Sequence, residues 1–158
     1  MPDSLVRQTM QEVEPLRADE LVGSATRKVI ESGLPALPAV GEDGSFVGIF
    51  GEREFFTALF PGYVGTLHSA AVISRTIDET IERRTGCTEE PIRPYLTTDH
   101  VMVDDEHSDT QLAELFLHHR VLVIPVATDG RVHAVVTRSE FFRALASRVV
   151  DSIEDYGD

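Results

Sequence analysis

The chain has 158 residues, with 27 acidic against 14 basic side chains and a net charge near −13. That charge repels phosphate backbones and argues against nucleic-acid binding, and apolar runs such as Val121 to Val126 are far too short to span a bilayer. A single cysteine, Cys87, rules out an internal disulfide and a cysteine-based zinc site.

Met1-Pro2-Asp3-Ser4 lacks the basic-then-apolar pattern of a signal peptide, so a cytoplasmic location is expected. The length suits one compact domain, or two small ones sharing a core.

The first helix signal follows Asp19. Leu21, Val22, Ala25, Val29 and Ile30 recur at the spacing of a half-buried helix. Gly33 supplies a stop, and Pro35 prevents continuation. A short apolar strand, Leu37 to Val40, comes next. Asp43-Gly44 is a hairpin signal, and Phe46 to Phe50 is the return strand. A second helix begins near Arg53 and carries Phe55 and Phe56.

An insert follows, about Phe60 to Glu90. Ile73, Ile77 and Ile81 recur at i, i+4 and i+8, and Gly86 closes the pattern, which predicts a helix over Ser74 to Thr85. Pro61-Gly62 and Thr88 to Pro91 read as loops on either side.

The same signals then return in the same order. Ser108 and Gln111 have capping-box spacing. Leu112, Leu115, Phe116 and His119 follow on one helical face. Val121 to Val126 and Val132 to Val136 are strands around a turn at Asp129-Gly130. A last helix starts near Ser139. Glu54-Phe55-Phe56 recurs as Glu140-Phe141-Phe142, and Val6-Arg7 lines up with Ile92-Arg93, both 86 residues apart. The chain is an internal repeat. Each copy is too small to build a good core alone, so the two are expected to pack through their sheets and Phe pairs.

With these residues in view, the sequence resembles a tandem pair of CBS (cystathionine-β-synthase-type) domains, a Bateman module. Ala36-Leu37-Pro38-Ala39-Val40, Phe46-Val47-Gly48-Ile49-Phe50 and Glu54 carry the resemblance in the first copy. Val123-Ile124-Pro125-Val126 with Ala134-Val135-Val136-Thr137-Arg138-Ser139-Glu140 carry it in the second. The resemblance implies an α+β fold with α/β-type repeats: two strand–helix–strand–strand–helix motifs with pseudo-two-fold symmetry, joined by a helical insert. The expected boundaries are 1–60 for motif 1, 61–90 for the insert, 91–150 for motif 2 and 151–158 for a fraying acidic tail.

The resemblance also implies a function. Such pairs bind AMP, ADP, ATP or S-adenosylmethionine in the cleft between the copies, form homodimers and regulate a partner protein. The family's Thr-x-x-Asp turn puts a hydroxyl and a carboxylate on the first turn of a helix, where the N-terminus favours an anion. Thr137 fits the hydroxyl position, whereas Gly51 leaves it empty in the first copy. Glu140 and Glu54 stand where aspartate is usual. Val123 and Ala36 occupy the position that is basic in some nucleotide-binding members, and Arg138 or Arg120 would have to compensate. An AMP-like ligand is therefore favoured over a triphosphate, with the second-copy site ranked first. The alternative is a ligand-free dimerisation or interaction module, in which Thr137 and Glu140 form only a capping box.

Neither a catalytic residue nor a metal site is expected. His118 and His119 are adjacent, so on a helix they point about 100° apart. His107, in Asp104-Asp105-Glu106-His107, lacks the ligand spacing of a calcium loop. Cys87 sits in a polar segment and is expected to be exposed and incidental.

Overall fold

The computed structural model describes residues 4–60 and 77–156. In chain order they form α1 (Leu5–Thr9), β1 (Gln11–Glu12), β2 (Leu16–Arg17), α2 (Val22–Ser32), β3 (Ala36–Val40), β4 (Phe46–Gly51), α3 (Glu52–Leu59), α4 (Ile77–Arg84), β5 (Val103–Asp104), α5 (Asp109–His118), β6 (Val123–Thr128), β7 (Arg131–Thr137) and α6 (Arg138–Tyr156), with short 3-10 turns at Thr85–Glu89 and Arg93–Tyr95. The fold is of the mixed α and β class expected from the repeat.

Two compact units divide the chain. One joins Met1–Pro15 to Val101–Asp158, and the other is Leu16–His100. This division differs from the repeat boundaries, for a physical reason. β1 pairs antiparallel with β7, and the Val13 N–H donates to the His133 carbonyl at 2.9 Å. In the other unit Thr97 forms a bridge with Ile49 of β4. Gln11 and Thr97 lie 86 residues apart, so the segment leading into each copy completes the sheet of the other copy.

In the Leu16–His100 unit, β2, β3 and β4 form a sheet in that order, β2–β3 parallel and β3–β4 antiparallel. α2 buries Val22, Ala25 and Val29 and ends on Gly33, whose φ of 71° is left-handed. That is the stop expected from sequence. Leu21 and Ile30, expected on the same face, are 46% and 73% exposed instead.

In the other unit the order is β1-β7-β6-β5. α5 opens with a complete capping box between Ser108 and Gln111. Leu112 and Phe116 join Val6, Val103, Ile124, Val126, Val136 and Phe141 in one core, while His119 lies just past the helix and is exposed.

The two hairpins share a bulge. The register slips after Ala39 and after Val126, which leaves Val47 and His133 as the extra residues. Their turns differ. Asp129 and Gly130 have φ of 53° and 79°, the double positive φ of a tight two-residue turn. The first copy instead has five residues, Gly41 to Ser45, between the paired Val40 and Phe46, one more than the four between Ala127 and Val132.

Further differences concern the insert and the ends. α4 matches the C-terminal part of the expected Ser74–Thr85 helix, and Ser74 to Thr76 and Pro61-Gly62 lie outside the described residues. The expected loop from Thr88 begins inside a 3-10 turn. There Cys87 is buried, at 2% exposure, rather than exposed. The acidic tail does not begin as a frayed end, because α6 runs on to Tyr156. Of the Phe pairs, Phe141 is in the core against Phe116, whereas Phe56 and Phe142 are exposed.

Candidate functional site

In the second copy the site residues gather where β6 and β7 meet the start of α6. Val123 lies opposite Thr137 in the sheet register, and both are buried. The Arg138 N–H donates to the Leu122 carbonyl at 2.9 Å, which fixes the first helical residue to the edge of the hairpin. The Thr137 hydroxyl accepts the Glu140 N–H at 3.2 Å. It thereby caps α6 and keeps its own proton to donate. The Glu140 carboxylate turns to Arg143, 3.2 Å away, and stays partly exposed. Arg138 and Arg120 are both exposed.

The first-copy junction has the same backbone and different chemistry. Gly51 lies opposite Ala36, and the Glu52 N–H donates to the Pro35 carbonyl at 3.1 Å. A Cβ on Gly51 would stand 2.3 Å from the Pro35 oxygen and 2.4 Å from Ala36 Cβ. No side chain fits there, so a hydroxyl like that of Thr137 is excluded sterically. Glu54, in the first turn of α3, is only 5% exposed. Burial pushes its carboxyl up to about 7, offset in part by its own N–H, by Arg53 and by the Gly51 N–H.

The structure thus brings Thr137, Arg138, Glu140 and Val123 together at one junction, and Gly51 and Glu54 at the equivalent one. One junction keeps a hydroxyl and an accessible carboxylate. The other has lost the hydroxyl and buried the carboxylate. Sequence reasoning missed the carbonyls of Pro35 and Leu122, which hold the first helical N–H in each copy. No residue type marks a backbone acceptor, but the two precede Ala36 and Val123 by one position, so the repeat itself pointed to them.

Two open grooves lie elsewhere. One of about 740 Å³ in the Leu16–His100 unit is lined by Thr26, Arg27, Ile30, Phe55 and Thr88 among others. One of about 290 Å³ in the other unit is lined by residues including His107, Glu114, His118 and His119. Among the described residues, no group of three His, Cys, Asp or Glu is placed to hold a metal ion. Nor is any helix among them long and apolar enough to cross a membrane.

Residues 92–147 match the CBS domain family model. No curated protein sequence matches the chain. Among solved structures, the chain is similar to the CBS domain of a CBS domain containing membrane protein from Sphaerobacter thermophilus, with TM-score 0.68 and 20% identity over 89% of this chain and 86% of that one. It is similar to a CBS-domain containing protein from Agrobacterium tumefaciens, with TM-score 0.62 and 20% identity over 89% of each chain. CBSX2 in complex with AMP gives TM-score 0.67 and 19% identity over 92% of this chain and 98% of that one. Residues 92–147 are thus similar in sequence to CBS domains, and the chain as a whole carries the fold of CBS-domain proteins.

Proposed function

We propose that the chain is a regulatory CBS module, not an enzyme, that binds an adenine nucleotide or nucleoside of AMP-like size at the β6–β7–α6 junction and signals this to a partner protein. The observation that carries the reading is the pairing at one helix start of the Thr137 hydroxyl, free to donate its proton, with the partly exposed Glu140 carboxylate. The first suits a phosphate or sugar oxygen, and the second suits ribose hydroxyls. A structure of the same fold in complex with AMP supports the ligand class.

Charge limits the ligand. Two of the first three N–H groups of α6 already donate, to Leu122 and Thr137. Arg138 is exposed beside them as the nearest cation in the sequence. A protein of net charge −13 with so few donors favours one phosphate over three. A cytoplasmic setting fits such a role.

Titration calorimetry with AMP, ADP, ATP, adenosine and S-adenosylmethionine tests the proposal. Heat with AMP or adenosine, lost in Thr137→Ala and Glu140→Ala, is the expected result. Absence of heat and of any melting shift at millimolar ligand overturns it. That outcome would favour the second reading, a ligand-free interaction module. The crowding at Gly51 and the burial of Glu54, which leave the first-copy junction closed to such a ligand, argue for that reading.

A further inference from the structure

α2 carries side chains that its core packing does not use. Val22, Ala25 and Val29 form its buried stripe. At 100° per residue, Thr26, Ile30 and Arg27 follow beside that stripe, in that order, within an arc of about 100°. All three line the open groove of about 740 Å³, together with Phe55 of α3 and Thr88 of the turn after α4. The groove lies wholly within the Leu16–His100 unit, and its volume falls in the range of small-molecule sites.

Two polar groups of the groove lack partners. Thr26 Oγ1 is buried without a hydrogen-bond partner, the one such side-chain atom among the described residues. The helical residues Thr9 and Thr57 instead donate to the carbonyl four residues back. An unpaired buried hydroxyl costs stability. Thr26 as a whole is half-buried, so its oxygen is shielded while its carbons take the exposure. Threonine has two favoured χ1 rotamers in a helix, and exchange between them swings the hydroxyl from the buried stripe onto the groove. The second group is Arg27. It is exposed and makes no ion pair among the described residues, whereas Lys28 beside it is held by Glu20 at 2.6 Å.

Both unpartnered groups are donors, which selects an anion. Ile30, 73% exposed, and Phe55 add apolar surface to the same groove. The complement of such a lining is an anionic head on an apolar body. One guanidinium matches one carboxylate, which it can hold through two parallel N–H bonds. A phosphate dianion would need a second cation, in a protein of net charge −13.

We propose that this groove binds a small monocarboxylate with an aliphatic or aromatic tail. Arg27 takes the carboxylate, the Thr26 hydroxyl turns to donate to it, and Ile30 and Phe55 cover the tail. The site shares no residue with the β6–β7–α6 junction, so a failed nucleotide titration leaves it standing.

Nuclear magnetic resonance titration of the isotope-labelled chain with octanoate and with phenylpropionate tests it. Saturable amide shifts at Thr26, Arg27, Ile30 and Phe55 are expected at millimolar acid, and octanol and octylamine should bind at least about tenfold more weakly. Arg27→Gln should weaken octanoate at least about tenfold, with unchanged far-UV circular dichroism, because the side chain is exposed. Thr26→Val has nearly the same shape and should weaken binding roughly fivefold. The free Thr26→Val protein should melt no lower than the wild type, since the unpaired hydroxyl is gone; a hydroxyl with a purely structural role would make it melt lower. Thr137→Ala should bind octanoate as the wild type does. No saturable shift at millimolar acid overturns the proposal. So do equal binding of octanol, binding indifferent to Arg27→Gln or to Thr26→Val, and displacement of octanoate by equimolar inorganic phosphate.

Discussion

Asp109 Oδ1 accepts the Leu5 N–H at 2.7 Å, across 104 residues of sequence. The same oxygen accepts the Ser4 hydroxyl at 3.1 Å and the Val6 N–H at 3.3 Å. One carboxylate therefore caps the start of α1 while standing in the first turn of α5. It favours both helix N-termini electrostatically. It also ties the lead-in segment of the first copy into the unit that holds the second.

Asp109→Ala should remove that cap and leave the first N–H groups of α1 unpaired. The expected loss is about 1–2 kcal/mol of unfolding free energy. Asp109→Asn should lose less, because an amide oxygen still accepts. Urea unfolding followed by circular dichroism measures both. Equal stability of wild type and Asp109→Ala would mean that α1 contributes nothing to the unit.

Gly51→Thr would restore in the first copy the residue found at the equivalent place in the second. The Cβ alone meets the Pro35 oxygen and Ala36 within 2.4 Å. The strand pair must open to admit it, so a loss of roughly 3 kcal/mol is expected, and Gly51→Ala should lose nearly as much. By contrast Thr137→Ser keeps the cap and should change stability by less than about 1 kcal/mol. A thermal melt of the three variants checks the order. A wild-type melt for Gly51→Thr would show that the hydroxyl position is open in both copies.

These junctions show what was legible in the sequence. Hydrophobic period and punctuation placed α2, its Gly33 stop, both hairpins and the Ser108–Gln111 cap, because each is a local contest between neighbouring residues. The pairing of Gln11 with Val135 and of Ile49 with Thr97 was not legible. Two copies with the same pattern offer each lead-in segment two equivalent edges, and pattern alone does not choose between them. Thr137 as a cap followed from its spacing to Glu140. The burial of Glu54 did not, since an acidic residue in a first helical turn reads the same whether solvent reaches it or not. Cys87 was misread for a similar cause: its polar neighbours Thr85 and Thr88 are exposed, and the thiol alone turns inward.

Cys87 supplies a probe of folding. Its thiol is 2% exposed, and burial raises its pKa, so the reactive thiolate is both scarce and shielded. Ellman's reagent should react with the native protein at least tenfold more slowly than with the urea-unfolded chain. Ligand-independent protection is expected, as Cys87 lies in neither junction described above. A native rate equal to the unfolded rate would mean that the Thr85–Glu89 turn opens freely in solution.

Glu54 makes stability depend on pH with a definite sign. Its folded pKa is raised to about 7 by burial, while in the unfolded chain it titrates as an ordinary carboxyl. Below about pH 4.5 both states hold the proton, and the contribution is fully present. As pH rises, the unfolded chain releases its proton first, so unfolding becomes progressively easier until the folded carboxyl also ionises near 7. The decline between those limits should total about 3 kcal/mol. Asp19, Glu20 and Asp104 have lowered pKa values and act in the opposite sense, their contribution being lost in acid below the ordinary carboxylate range. The comparison with Glu54→Gln isolates the one group. At pH 5 the variant and the wild type should be close in stability. At pH 8 the variant should be the more stable, since its amide carries no charge to bury. Urea titrations at a series of pH values give the difference directly, and two parallel curves would show that Glu54 ionises as freely in the fold as outside it.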